Sequence, residues 1–448
     1  MTDGREAGAL HPDSGVTLVE VVVAVVVFML LAAGVSAGAV TVVRFTADNR
    51  SREIATNLAA QELDAVRLVA DPFAIHAATT VETISGRDYT IARSTSWVSA
   101  VGADVACSTS STVKYRRVNV TVSWNGQLPG TTDVRSDTLF APNGPIDSAT
   151  TGSVGVAVVG ADGSGESGVA ITLVAIGGGA VTPSTQPSNT DENGCSFTTG
   201  IRPGTYKVTA SRSASVDNSQ AAAPFQNIAV VAGSTSPVSF TYDNVGTFPM
   251  SYANNYNGTT PLLPTNLTTT FLSSLSPYVA SGSNASISLF PSSYQAIAGT
   301  VATNTGSTVC AAFDPGAWPA SIFASPALAA GLRPPGQSAP AGGSSTSALG
   351  VNMGVVQVTA TGTGTLTATS NNPSYSTPGG NPGCSMNVTY IFGSVLKNGT
   401  VVIALPFGQW SLGGSVKITT NTVTNAVNTS NTTPSSSVSV LLDPRAKK

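Results

Sequence analysis

The strongest pattern in the sequence is a long apolar run near the N-terminus. Residues 16–43 read VTLVEVVVAVVVFMLLAAGVSAGAVTVV, in which Glu20 is the one charged residue. As a helix they would extend roughly 42 Å at about 1.5 Å per residue, which is enough to cross a bilayer. A carboxylate inside a membrane is costly, so Glu20 calls for a functional reason. The pattern predicts a transmembrane helix over 16–43 with a functional carboxylate near its start.

The helix is predicted to continue beyond the membrane. Ile54, Leu58 and Leu63 recur near helical spacing among good helix formers. Pro72 disfavours helix in the residue before it and should end the element. We therefore expect one helix over residues 16–70, apolar in its first part and amphipathic over 44–70.

Three β-rich segments are predicted after the helix. In the first, residues 71–147, polar and apolar residues alternate over Asp88–Ser96 and Lys114–Trp124, as they do in half-buried strands. The arginines of the second run are assigned to a solvated strand face, with a binding strip as the alternative. Proline and glycine at 142–145 mark a linker to the next segment.

The second segment, residues 150–245, contains strand patterns at Gly152–Val159 and Gly168–Ala175 and a turn at residues 191–194. The sequences DENGC and RPGTY, followed by an alternating strand, resemble prealbumin-like and carboxypeptidase-regulatory-type β-sandwiches. The resemblance implies a β-sandwich in this segment. Asp191, Glu192 and Asn193 are interpreted as a tight turn, with calcium ligands as the alternative.

The third segment, residues 246–448, is rich in Ser, Thr, Asn, Gly and Pro. Its strand-like runs are Ala285–Phe290, Val355–Ala360, Val388–Phe392 and Thr400–Leu405. Residues 321–347 are predicted to form a long loop, and residues 421–439 a loose tail or an edge strand. The whole pattern predicts an α+β fold, in which a long membrane-spanning N-terminal helix precedes a β-rich region and β-sandwich domains.

Composition excludes several classes of function. Charged residues are 10% of the chain and the net charge is -3, which gives no reason to expect nucleic acid as a partner. Only His11 and His76 are available as histidine bases, and no phosphate-binding loop is present. We therefore expect no enzyme activity, no cofactor and no metal site.

The four cysteines are not spaced as metal ligands, and on an exported chain they indicate disulfides. Cys310 and Cys384 lie in the same segment and form the preferred pair. Cys107 and Cys195 lie in different segments, so their pairing is a second prediction. Buried thiols at these two positions are its alternative.

The start of the apolar run resembles the class III leader of type IV prepilins and pseudopilins. The residues that carry the resemblance are Gly15-Val16-Thr17-Leu18-Val19-Glu20, followed by the long apolar helix. The resemblance implies that residues 1–15 are a leader, which a prepilin peptidase removes after Gly15. It also implies that Val16 becomes a methylated N-terminus, whose charge pairs with Glu20 of a neighbouring subunit in a low-dielectric helix bundle. In this family residues 71–147 would be the pilin-type β region.

These expectations lead to one expected function and one alternative function. The expected function is that of a minor pilin or pseudopilin in a type IV pilus-like or type II secretion-like filament. Its partners would be the prepilin peptidase/N-methyltransferase, other pilin-like subunits, the membrane, and an unknown surface ligand or cargo. It would lie in the cytoplasmic membrane with its head on the extracytoplasmic face, and in a surface filament after assembly. The rival is a single-pass surface binding protein that never polymerises.

Overall fold

A computed structural model describes most of the chain. The described residues are 17–69, 74–99, 107, 113–127, 129–141, 148–301, 310–321, 328–371, 380–384, 387–424, 426–427 and 431–445. They fold as two compact units. The first comprises Met1–Asp104 and Lys114–Gly144, and the second comprises Val105–Val113 and Pro145–Lys448.

The first unit begins with a single helix of 50 residues, α1, over Leu18–Arg67. Its buried residues all lie in the C-terminal part, from Asp48 to Val66. The N-terminal part is exposed and has a mean hydropathy of 2.8, so by length and composition α1 is able to cross a membrane. The apolar and amphipathic parts predicted from sequence are thus one continuous helix.

A four-stranded sheet packs against the C-terminal part of α1. Its strands, in the order β1-β2-β3-β4, are β1 (Ala78–Ile84), β2 (Arg87–Ser99), β3 (Val113–Trp124) and β4 (Val134–Phe140). Val118, Val120 and Val122 on β3 are fully buried beneath the helix, because alternate residues of a strand point to the same face. This core joins Ala55 and Leu58 of α1 to the sheet.

The arginines of β3 were expected on a solvated strand face, and for Arg116 this expectation is wrong. Its side chain is fully buried. The guanidinium lies over the ring of Trp97 at 4.3 Å from the centroid, and Nη2 donates to Thr95 Oγ1 at 2.6 Å. Arg116 occupies an even-numbered position, as Val118 does, so the strand period places it on the buried face.

The second unit contains two hydrophobic cores. The first lies between the sheets β10-β8-β6 and β7-β5-β11-β9, in which β5 and β11 are parallel. The strands are β5 (Gly152–Val159), β6 (Ala170–Gly177), β7 (Cys195–Ile201), β8 (Gly204–Ser211), β9 (Ser215–Asp217), β10 (Phe225–Val230) and β11 (Thr235–Asn244).

The turn before β7 is built by Asp191 and Gly194. Asp191 Oδ1 accepts hydrogen bonds from the backbone N–H groups of Asn193 and Cys195, at 3.0 and 2.9 Å. Gly194 has φ +72°, and a Cβ there would lie 2.1 Å from the carbonyl oxygen of Val158. The acidic run therefore closes a tight turn, as the sequence indicates.

The second core of this unit is built on three further sheets. Their orders are β15-β12-β18, β14-β13-β16-β17, and a seven-stranded sheet in which β21-β20-β23-β19-β22 is extended by β25 on β23 and by β24 on β25. The strands are β12 (Gly246–Tyr252), β13 (Thr268–Leu272), β14 (Tyr278–Ser281), β15 (Ser286–Leu289), β16 (Ser293–Ala298), β17 (Gln337–Ser338), β18 (Leu349–Val351), β19 (Gly354–Ala360), β20 (Gly364–Ser370), β21 (Thr389–Val395), β22 (Thr400–Leu405), β23 (Gly408–Thr424), β24 (Ala426–Val427) and β25 (Asn431–Leu442). Short 3₁₀ turns at Ala311–Phe313 and Pro315–Ala317 precede β17.

Two stretches of this region, one rich in Ala, Pro, Gly and Ser and the other in Thr, Asn and Ser, are more ordered than their composition indicates. In residues 328–347 the regular element is the two-residue β17, yet Arg333 pairs with buried Asp314 at 2.6 Å. The tract predicted as a tail or edge strand supplies most of β25, whose Val438 and Val440 are buried. Alternation of apolar side chains on β25 therefore outweighs the polar composition.

Two disulfides are present. Cys310 is bonded to Cys384, and Cys107 is bonded to Cys195. The segment Val105–Val113, which follows β2 in sequence and ends at the first residue of β3, belongs to the second unit. Cys107 and Cys195 are thus within one unit rather than in separate ones.

Candidate functional site: the N-terminal helix

The helix begins at a capped N-terminus beside Glu20. Thr17 Oγ1 accepts a hydrogen bond from the backbone N–H of Glu20 at 3.3 Å, and Thr17 O accepts from Val21 N at 3.2 Å. Glu20 lies in the first turn, where the positive end of the helix dipole stabilises a carboxylate. Gly15 and Val16, the predicted cleavage and methylation residues, lie outside the described residues.

The first half of α1 exposes an apolar surface around its whole circumference. Leu18 is 81% exposed and Phe28 is 71% exposed, and the other large apolar side chains up to Phe45 are exposed as well. A soluble protein does not leave so large an apolar area in water. This half of the helix therefore requires lipid, or the apolar helices of neighbouring subunits, around it.

The second half of α1 is fixed to the sheet by polar contacts as well as by its core. Trp124 Nε1 donates to Asp48 Oδ1 at 3.2 Å, and Arg87 Nη1 donates to Ser51 Oγ at 2.6 Å. One turn from the end of the helix, Arg93 Nη1 pairs with Glu62 at 2.7 Å. The contacts begin at Asp48, so the boundary between the free and the seated halves of α1 lies just before it.

These anchors were not recognised from the sequence. Asp48 and Ser51 are polar, and a search for apolar periodicity passes over them. Their spacing of three, followed by Ala55 and Leu58, places all four on one helix face, and that spacing is the signal that could have identified them.

Among the described residues, no group of three or more His, Cys, Asp or Glu side chains could hold a metal ion. His76 is half-buried, and its carbonyl oxygen accepts a hydrogen bond from Arg93 at 2.8 Å.

Comparison with protein families gives a match that includes the first part of this helix. The family described as "Prokaryotic N-terminal methylation motif" matches residues 10–36. The N-terminal segment is a prepilin-type methylation motif. The motif implies processing by a prepilin peptidase, anchoring in the membrane by one helix, and assembly with other pilin-type subunits. It supports a structural subunit of pilin type.

The β-rich remainder has only weak structural likenesses. The chain is similar to the TIE protein of Bacillus anthracis (12% identity, 82% of this chain and 66% of that one, TM-score 0.20). It is also similar to a streptococcal ancillary pilin (12%, 73% and 72%, 0.19) and to BcpA, the major pilin subunit of Bacillus cereus (11%, 65% and 95%, 0.20). TM-scores this low carry no argument about function. No curated protein matches the sequence.

Proposed function

We propose that the chain is a low-abundance subunit, a minor pilin or pseudopilin, of a type IV pilus-like or type II secretion-like filament. The observation that carries the proposal is the exposed apolar half of α1, with Glu20 in its first turn and the methylation motif over it. In a filament, Glu20 would meet the charged N-terminus of a neighbouring subunit. Each charge would be costly to bury alone, so the pair would fix the register of the two helices.

The second unit supports a low-abundance position. It contains the residues from Pro145 onward in addition to the β2–β3 segment, and so is much larger than the helix-bearing unit. A head of this bulk is difficult to repeat at every position of a filament. We assign it the recognition of a surface, a polymer or a cargo protein outside the cytoplasmic membrane.

The test is the mass of the mature N-terminus. The full chain is co-expressed with a prepilin peptidase/N-methyltransferase, and the purified protein is measured intact and after proteolysis. We expect a chain that starts at Val16 and is heavier by one methyl group. A chain that retains Met1 in the membrane would instead leave the rival function, a single-pass surface binding protein that does not polymerise.

A further inference from the structure

Strand β1 forms an open edge of the sheet in the first unit. Five of its seven residues are exposed, and its register with β2 runs from Ala78 to Ile84 without a bulge. Its sequence, ATTVETI, contains one charged residue and neither proline nor lysine. Edge strands are usually protected from further pairing by such residues or by bulges. Since β1 has no proline, no lysine and no bulge, and Glu82 is its one charged residue, it can act as a template for another strand.

The opposite edge of the same sheet carries a matching apolar side chain. Val81 on β1 is 62% exposed and Leu139 on β4 is 55% exposed. Both lie on the outer face of the sheet, because the residues beside them, Glu82 and Thr138, are paired across the ladders with core residues on the helix-packed face. Each edge therefore has one large apolar residue, on the same face, with no partner in its own chain to cover it among the described residues.

The direction of the strands fixes which edges are able to meet. β1 is antiparallel to β2, and β4 is antiparallel to β3. Asn125, just after β3, donates its N–H to Asp88 O at the start of β2 at 3.1 Å, so β2 and β3 are antiparallel as well. In such a four-stranded sheet the two edge strands run in opposite directions.

This polarity favours a head-to-tail contact between copies. If β1 of one copy lies beside β4 of the next, the new pair is antiparallel and the two copies keep the same orientation. Their α1 helices then remain parallel, as two chains anchored in one membrane require. Pairing β1 with a second β1 would instead turn one helix around, since the two-fold axis of an antiparallel strand pair is perpendicular to the sheet.

We propose that β1 of one chain adds to β4 of a second copy, with Val81 opposite Leu139. The same register places Thr83 opposite Asp137 and Glu82 opposite Thr138, so no like charges face each other. One such contact needs only two copies of the chain, which agrees with the low abundance proposed for this subunit. The parallel orientation of the copies rests on the proposed function, whereas the match between the edges does not.

Engineered disulfides test this register. Full chains with Val81→Cys and with Leu139→Cys, carrying different affinity tags, are co-expressed in membranes and oxidised with copper-phenanthroline. Directly opposed residues of an antiparallel pair are close enough for a disulfide. We expect a shift from monomer to a dimer that carries both tags. The double variant should form a ladder, and each single variant expressed alone should stay monomeric.

The control places the cysteines on the same two edge strands but on opposite faces of the sheet. Thr80→Cys with Leu139→Cys places the two thiols on opposite faces of the joined sheet, and it should give no mixed-tag dimer. Equal dimer yields from this control, or a dimer from Val81→Cys alone, would overturn the proposal, as would an absence of any mixed-tag dimer from chains that resist protease as the parent does. The N-terminal mass is measured on the same samples. A Val16 start without crosslinks refutes the edge pairing alone, and crosslinks on an unprocessed chain refute the filament function alone.

Discussion

Trp124 and Asp48 are joined by a hydrogen bond between the last residue of β3 and the residue at which α1 becomes buried. The indole Nε1 donates to Asp48 Oδ1 at 3.2 Å, and both side chains are buried. The contact lies at the boundary between the exposed apolar half of α1 and the half that packs against the four-stranded sheet. It holds the sheet of the first unit at a fixed point along the helix.

Replacing Asp48 with Ala should destabilise the first unit. The substitution leaves the buried indole N–H without its acceptor, and a loss of this kind costs about 1–3 kcal/mol. The free energy of unfolding is measured in detergent by denaturant titration, followed by tryptophan fluorescence. Glu53→Ala, on the exposed side of the same helix, is the matched control and should change little. Equal losses from the two variants would contradict the anchoring role of Asp48.

Arg116 should matter more to folding than its neighbour on the strand. Arg116→Ala removes the contact with the Trp97 ring and the hydrogen bond to Thr95, and we expect a loss of about 2 kcal/mol or more in the free energy of unfolding. Arg117→Ala changes the next residue, which lies on the opposite face and is partly exposed. A smaller loss for Arg116→Ala than for Arg117→Ala would show that the buried arginine contributes nothing.

Glu20→Ala should separate processing from assembly. The proposed leader cleavage site, after Gly15, does not include Glu20, so the mature mass should still correspond to a start at Val16, allowing for the substitution. Incorporation into sheared filaments should fall, because a buried N-terminal charge of a neighbour would lack its partner. Immunoblots of the sheared and membrane fractions measure this distribution, with Glu53→Ala as the control. Unchanged incorporation of Glu20→Ala would remove Glu20 from the assembly contact.

The free energy of unfolding of the second unit should fall at high pH. Burial raises the pKa of Tyr390 to about 12, from 10.0 for a free tyrosine. Because the folded pKa is the higher one, this contribution to stability is complete below pH 10 and is lost as the pH rises from 10 towards 12. Tyr390→Phe should flatten the decline in the free energy of unfolding over that range. Absorbance of the phenolate gives an independent titration, and an ordinary pKa for Tyr390 would contradict the prediction.

Removing the Cys310–Cys384 disulfide should destabilise the second core of the second unit, to which both cysteines belong. The bond joins residues 74 apart, and the loss of a native disulfide in a small domain costs about 2–5 kcal/mol. We expect the Cys310→Ser/Cys384→Ser variant to unfold at lower denaturant concentration than the parent. The Cys107→Ser/Cys195→Ser variant is the comparison, since Cys195 is next to the other core of the second unit. Identical unfolding curves for the parent and the Cys310→Ser/Cys384→Ser variant would contradict this prediction.

Where one physical signal dominates a segment, the sequence is sufficient to predict its structure. The apolar run at the N-terminus predicts a long helix, and in the structure that helix is Leu18–Arg67. β5 and β22 have the predicted bounds, Gly152–Val159 and Thr400–Leu405, because branched apolar residues in both are bounded by turn residues. Thr17 is the N-cap of this helix, and Glu20 lies in its first turn.

The rest could not be predicted because it depends on which elements pack together. Arg116 was assigned by residue type to solvent, whereas its position on the strand and the nearby Trp97 ring decide that it is buried. Apart from Cys107, nothing in residues 105–113 indicates that this segment joins the second unit. The strand β25 is stabilised by pairing with β23, a long-range contact that composition does not report.

The order of the cysteines has a consequence for how the chain matures. Synthesis proceeds from the N-terminus, so with the β-rich region on the proposed extracytoplasmic side the first thiol to reach an oxidising compartment would be Cys107, followed by Cys195. Cys107 and Cys195 can close their bond before Cys310 has been made, and Cys310 then has Cys384 as the next free thiol to arrive. Each cysteine is bonded to its neighbour in order of emergence. Pairing in that order alone gives the native connectivity, and no exchange between mispaired bonds is required.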